Sequence, residues 1–434
     1  MPAGRVLERR YGRVKVKVYG GLNEIGGNCV VVEDGDRKLV FDNGIRFSVL
    51  RRFYGGRVEP LGPSELRSVG VIPPSEVFEN AVAVYVSHLH LDHAGLLGTI
   101  PPDVVIKVPD SRILGETLAS WYGRSGSWLA SVPPRSTATV EDLTPMVEDE
   151  NGVVAVPVSH SSYPAYAFLY RGGDATVFYS GDLRFEPLTG LNRRLDRVVE
   201  GLNVDEVDVA LLEGTNFGSG QAPVTPSTFS ELLSLLFKEY ELVAVSIDPL
   251  DLEMFTATVN LSKLYGRSLV VGSRRLLWAI EELEKIAPWM LEDLYVIEER
   301  GIQLPFQAEL ISLADEVLKR PGDYVLAIDP VGLLQILRKL KEWEESVDLA
   351  GSAVVLTDPE PRESLKEAEE EALKAWFKAF GVHAFRLRLS GHYLPHHFRH
   401  IVETLKPRDL IPIHTEEAKL MDKLFKKIQP TLHR

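Results

Sequence analysis

Nine consecutive residues constrain this chain more than any other stretch: Ser87-His88-Leu89-His90-Leu91-Asp92-His93-Ala94-Gly95, directly after the apolar run Ala81 to Val86. Three histidines and one aspartate fall within six residues. On a helix His88 and His90 would point to nearly opposite sides, so convergence on one point requires a loop between a strand and a helix starting near Ala94. Histidine is the commonest metal ligand and suits zinc, and carboxylates complete such sites. Cys29 is the only cysteine among 434 residues, so a thiolate cluster and an internal disulfide are both excluded. Any zinc must be held by carboxylates and the 11 histidines.

One short cluster cannot close two metal sites, so further ligands are expected at other strand ends. His160 follows the apolar run Val153 to Val158, Asp182 follows Ala175 to Tyr179, and His414 follows Leu410 to Ile413. Each repeats the pattern of a histidine or aspartate placed just beyond a strand. The net charge of −14 argues against coating nucleic acid by bulk attraction, which needs Lys and Arg against phosphates, but it leaves room for a local basic groove. The apolar runs are far shorter than a membrane span and the amino terminus is charged, so a cytoplasmic protein without membrane association is expected.

Short Val- and Ile-rich runs bounded by Gly, Asp and Pro predict strands in the first half: Val14 to Val18, Lys38 to Phe41, Ala81 to Val86, Val104 to Val108, Val153 to Val158, Ala175 to Tyr179 and Val207 to Leu212. From about Ser227 the rhythm changes to alternating strand and helix, as in a parallel α/β domain. Ala384 to Leu389, a helix from Pro395 to Leu405, and Leu410 to Ile413 return to the earlier style. The pattern predicts an α/β domain inserted into a sheet-on-sheet domain, with segments 1–212, 213–384 and 385–434. The acidic run Glu367 to Glu371 reads as a solvated helix face.

The order of these segments resembles the metallo-β-lactamase superfamily, specifically its β-CASP branch of nucleases. Gly20-Gly21-Leu22-Asn23-Glu24-Ile25-Gly26-Gly27-Asn28 and Phe41-Asp42-Asn43-Gly44 resemble that branch's first segment. Leu211-Leu212-Glu213-Gly214-Thr215-Asn216 resembles the acidic motif opening its insertion, and Leu389-Ser390-Gly391-His392 the histidine motif closing it. The resemblance implies a metallo-β-lactamase αββα sandwich carrying an inserted β-CASP α/β domain. It implies two zinc ions per chain, with His88, His90 and His160 holding one, Asp92, His93 and His414 the other, and Asp182 bridging them. Asp42 would orient ligand histidines. Asp92 would receive the nucleophile's proton, and His392, oriented by Glu213, would assist the leaving group. Ser390, Gly391 and Arg274 would contact phosphate.

A histidine at the position of His414 accompanies RNA substrates in this branch, so the leading expectation is a zinc-dependent ribonuclease whose partner is RNA, with room for a homodimer. The rivals are a hydrolase of DNA or of a small phosphoester or thioester on the same fold, and a non-catalytic RNA-binding subunit. Departures bear on the 5′ end of the substrate. Tyr393 stands where ribonuclease J-like members have a small residue, Gly272-Ser273-Arg274 alters the usual Gly-Arg-Ser order, and Ile328-Asp329-Pro330 replaces a Thr-Gly-Ser-type loop. Those members also continue into a further domain, whereas this sequence stops twenty residues after His414. Weak preference for a 5′-monophosphate is therefore expected. His383, His396, His397, His400 and His433 carry no expected role; Arg386 and Arg388 read equally as phosphate track or solvated charge. Trp121, Trp128 and Trp376 read as half-buried packing residues instead of base-stacking platforms.

Overall fold

The computed structural model describes residues 6–55, 58–118, 138–202, 204, 206–218, 223–299, 304, 308–342, 349–357 and 364–429. Trp121 and Trp128 lie outside these. The chain forms two compact units, residues 1–222 with 391–434, and residues 223–390.

The first unit is built on a seven-stranded sheet in chain order: β1 (Leu7–Tyr11), β2 (Val14–Gly20), β3 (Cys29–Asp34), β4 (Arg37–Phe41), β5 (Ala83–Tyr85), β6 (Val105–Val108) and β7 (Val140–Asp142). A second sheet begins with β8 (Val153–Val158), β9 (Ala165–Arg171), β10 (Thr176–Tyr179) and β11 (Val209–Glu213). Alternation along these strands sorts their side chains. Val16, Val32, Leu39 and Phe41 from the first sheet meet Ala155, Phe168, Val177, Tyr179 and Leu211 from the second. Phe41 stacks on Phe168 with ring centroids 5.4 Å apart and on Tyr179 at 5.6 Å. Fully burying one such ring contributes about 2–3 kcal/mol. The opposite face of the second sheet, with Val154, Val156, Phe178 and Leu212, is covered by Val198, Phe398, Ile401, Met421 and Phe425 from helices. Both faces of β8 are thus buried, which is why it reads as a nearly continuous apolar run. Another core gathers Tyr54 and Leu66 of helices Phe47–Tyr54 and Pro63–Val69 around Ile45 and Leu96. The architecture is the αββα sandwich that the sequence predicts.

The second unit is a seven-stranded parallel sheet of β12 (Val243–Ser246), β13 (Ser268–Val271), β14 (Leu294–Ile297), β15 (Glu309–Ile311), β16 (Tyr324–Ile328), β17 (Ala353–Leu356) and β18 (His383–Arg386), in the order β15-β14-β13-β16-β12-β17-β18. Helices alternate with the strands, as at Pro226–Glu239, whose first turn is capped by the Thr225 hydroxyl, and Leu252–Leu264, capped by Asp251. The sequence assigns Ala384 to Leu389 to the outer domain, and this is corrected: β18 pairs in parallel with β17, with Phe385 opposite Val355, and Leu389 bridges Val224. A single edge strand carries no local mark of the sheet it joins. At the other junction, residues 213–218 stay with the first unit because Glu213 ends β11 and the Asn216 amide donates to the carbonyls of His392 and Tyr393. The compact units therefore divide at 222/223 and 390/391, later in the chain than 212 and 384.

The chain returns to the first unit and adds β19 (Asp409–Ile413), parallel to β11 with Leu211 opposite Ile411. Among the described residues, no helix is long and apolar enough to cross a membrane.

Candidate metal centre

The strand pairings bring six chain segments to one edge of the sandwich. Strands β4 and β5 are parallel, as are β10, β11 and β19, and β8 runs with β10 because both are antiparallel to β9. The residues just beyond their carboxyl ends are Asp42, the Ser87–His93 loop, His160, Asp182 and His414, with Glu213 closing β11 itself. The loop passes into the short helix Leu91–Ala94, so His88 leaves the backbone from the loop, His90 from the residue before the helix and His93 from the helix itself.

Asp182 lies at the centre. Its Oδ2 is 3.1 Å from His93 Nε2, 3.5 Å from His414 Nε2, 3.8 Å from His88 Nε2 and 3.9 Å from His160 Nε2. Among the described residues five ligand-like groups of three overlap there, two of them being His88, His90 and His160, and Asp92, His93 and His414; two others include His392, with His160 and Asp182 or with Glu213 and His414, and the ligand atoms in each group lie within 4.8 Å of one another. His414 Nε2 is 3.2 Å from Asp92 Oδ2. Four carboxylates, Asp42, Asp92, Asp182 and Glu213, crowd this edge, and among the described residues no Lys or Arg is ion-paired with any of them. Buried negative charge demands a positive partner. The Nε2 atoms of His88 and His90 and the Oδ1 of Asp182 are buried without a hydrogen-bond partner. This donor set fits divalent metal, and hydrogen bonding within the protein leaves those atoms unsatisfied.

The titration behaviour follows from this packing. Burial, reinforced by the neighbouring imidazoles, holds His88 and His160 well below the ordinary histidine range, which keeps their lone pairs available. Burial would raise the Asp182 carboxyl, but His414, His93 and His392 outweigh it and hold the group well below its ordinary range. His93 is held well above its usual range: burial opposes its charge, and Asp182, Asp42 and Asp92 overcome that.

Around the cluster, His93, His160, His392 and His414 are held through Nδ1. Asp42 Oδ2 is 2.7 Å from His93 Nδ1 and accepts the hydroxyls of Ser87 at 2.8 Å and Tyr179 at 2.5 Å, while its Oδ1 accepts the Ser87 amide at 2.7 Å. Burial and then Asp42 push the Tyr179 hydroxyl well up, so it remains a donor. His160 Nδ1 donates to the Gly391 carbonyl at 2.6 Å. His392 Nδ1 lies 3.2 Å from Glu213 Oε1 and 3.9 Å from Asp182 Oδ2. Sequence reasoning missed Thr215, whose hydroxyl oxygen is 3.1 Å from His392 Nδ1 and 2.9 Å from His414 Nδ1. Its signal was its place two residues after Glu213, which alone carries no chemistry.

Close backbone approach makes Gly44 part of the scaffold. A Cβ there would sit 1.6 Å from the Asp92 carbonyl oxygen. Gly44→Ala is expected to destabilise the first unit by about 2–4 kcal/mol, seen as a lower thermal midpoint; an unchanged midpoint would mean the two loops separate freely.

The residues named for phosphate contact divide between the two compact units, Arg274 and Ser390 in the second and Gly391 in the first. Arg274 Nε is ion-paired to Glu299 at 2.9 Å, and the Gly391 carbonyl accepts from His160 Nδ1. Ser390, buried at the end of the second unit, belongs to the other compact unit from Gly391. Asp329 is buried; its Oδ1 accepts the Ser273 hydroxyl and the Gly332 amide at 3.1 Å, and its Oδ2 lies 3.6 Å from Arg275 Nη1. Tyr393 does not crowd the site either. Its ring is buried among Phe217 and Phe398 and its hydroxyl donates to the Glu213 carbonyl. Arg386 is paired with Glu370 at 2.6 Å, and Trp376 packs against the core of the second unit.

Comparison with known proteins agrees with this architecture. A family model described as the metallo-beta-lactamase superfamily matches residues 22–244. The chain is 23% identical over 421 residues to Ribonuclease J of Pyrococcus abyssi, covering 93% of this chain and 90% of that protein. It is 21% identical to Ribonuclease J of Helicobacter pylori, spanning 56% of that longer protein, and 20% identical to Ribonuclease J2 of Bacillus subtilis, spanning 71% of it. A solved structure of a protein of unknown function from Enterococcus faecalis superposes with a TM-score of 0.69 at 20% identity, covering 94% of this chain and 95% of that one, a likeness of fold. With the sandwich, the inserted α/β unit and the cluster at the strand ends all in place, the chain belongs to the metallo-beta-lactamase superfamily, on the β-CASP branch that includes the ribonuclease J proteins.

Proposed function

We propose that the chain is a metal-dependent ribonuclease that hydrolyses RNA phosphodiester bonds with two zinc ions. The observation that carries this reading is the convergence of six ligand-type side chains around Asp182, in a chain similar to proteins named Ribonuclease J. His88, His90 and His160 would hold one ion, Asp92, His93 and His414 the other, and Asp182 both. Two zinc ions, when bound there, would supply polarisation of a phosphoryl oxygen and a nucleophile at neutral pH.

The other groups handle protons and position. Asp92 keeps a side-chain exposure of 24%, against 3% for Asp182, so it is the carboxylate open to an incoming water and takes that water's proton. The water oxygen bonds to phosphorus as the phosphorus–oxygen bond to the leaving nucleoside breaks. His392, with Nδ1 held toward Glu213, presents Nε2 to return a proton to the leaving oxygen. Asp42 fixes the His93 ring through Nδ1. A cytoplasmic location and a homodimer belong to the same reading, and sedimentation of the purified chain tests the second.

Matched RNA, DNA and chromogenic diester substrates test the assignment: RNA is expected to be cut fastest, and equal rates on RNA and DNA would favour the broader hydrolase reading. End-labelled RNA adds a finer result. With Arg274 engaged by Glu299, 5′-monophosphorylated RNA is expected to be degraded less than about tenfold faster than the 5′-hydroxyl form, under ~1.4 kcal/mol of discrimination. A larger ratio, with mononucleotides first, would show a working 5′-phosphate pocket.

A further inference from the structure

We propose that Thr215 is a positioning residue shared by His392 and His414, its single hydroxyl setting the orientation and tautomer of both rings. The inference rests on the reading of the site given above. Thr215 follows β11 in the 3₁₀ turn Thr215–Phe217 and is half-buried. Its backbone amide donates to Glu213 Oε2 at 2.9 Å, which fixes the turn to the same carboxylate whose Oε1 faces His392. The side-chain oxygen then stands 2.9 Å from His414 Nδ1, 3.1 Å from His392 Nδ1 and 3.4 Å from the His414 carbonyl.

A hydroxyl has two lone pairs and one hydrogen. His414 turns Nε2 toward Asp92 and Asp182, where it would be a zinc ligand; with Nε2 given to zinc, its hydrogen is on Nδ1 and donates to Thr215. His392 Nδ1 faces Glu213 as well as Thr215, so it too is a donor there, and Nε2 on the other side of the ring carries the proton meant for the leaving oxygen. The two donors fill the lone pairs of the hydroxyl oxygen, and its own hydrogen points to the His414 carbonyl. No other described hydroxyl lies within hydrogen-bond distance of both rings. A shift of Thr215 therefore moves a ligand-type histidine and the proton-carrying histidine together, and the Thr215 hydroxyl couples metal retention to turnover.

Thr215→Val keeps the shape and removes the hydroxyl; Thr215→Ser keeps the hydroxyl. The expected result for Thr215→Val is zinc affinity weaker by about tenfold or more, read by competition with a chromophoric chelator, as for loss of a group orienting a ligand. At saturating zinc, kcat on RNA is expected to fall about tenfold with KM within about twofold. Thr215→Ser should recover both to within about threefold. A serine variant as impaired as the valine variant, or a valine variant that changes only affinity or only kcat, overturns the proposal. Nitrogen NMR of the imidazoles in the zinc-loaded wild-type protein decides independently of whether Thr215→Val folds: both rings are expected to be protonated at Nδ1, and a bare Nδ1 on His414 overturns it. His392→Ala serves as a control. Undiminished kcat in that variant would sink the role given to His392 while leaving the affinity arm for His414 in force.

Discussion

Asp182→Ala is expected to strip the chain of metal and slow RNA cleavage by about a thousandfold or more, a barrier increase of about 4 kcal/mol. The reason is its position. One oxygen, Asp182 Oδ2, lies within 3.9 Å of His93, His414, His88, His160 and His392, so removing it leaves a buried ring of imidazoles with no charge at its centre. The two triads lose the carboxylate that lies against both. Metal analysis of the purified variant beside a cleavage assay checks both halves. Full metal content with a near-normal rate would remove Asp182 from the mechanism.

His392→Ala is expected to behave differently, keeping its metal while cleavage slows by roughly a hundredfold or more, as for loss of a general acid. His392 is 17% exposed and held by Glu213 and Thr215, with only Nδ1 near Asp182, whereas His414 is buried with Nε2 against Asp92 and Asp182. His414→Ala should therefore lower metal content. If both variants lose metal to the same extent, the division between a ligand and a proton donor is wrong.

Much of the first unit is legible in the sequence because its chemistry and its strands coincide. Val153 to Val158 ends at His160, and Leu410 to Ile413 ends at His414, so an apolar run and a histidine mark the same place. Other strands escape this reading. Leu7–Tyr11 carries Glu8, Arg9 and Arg10 on an exposed edge, and its strand conformation comes only from pairing with β2. Strand β18 is likewise claimed by a partner distant in sequence, Ala353–Leu356, and nothing within it indicates which unit it joins. The role of Tyr393 illustrates a limit of motif comparison. Its size suggested crowding at the site, yet its neighbour His392 and its own ring point to opposite sides of the backbone, one to Glu213 Oε1 and the other into the core. Thr215 was silent for a related reason: a hydroxyl has no function until folding brings two histidines to it.

The central claim is that RNA hydrolysis depends on metal held by this cluster. Its most direct test is the rate of RNA cleavage by chelator-treated protein as zinc is returned in known ratio. The expected result is no cleavage without metal, recovery that levels off near two zinc ions per chain, and no recovery in Asp182→Ala. Cleavage that survives chelation, or full activity at one ion or fewer per chain, would contradict it.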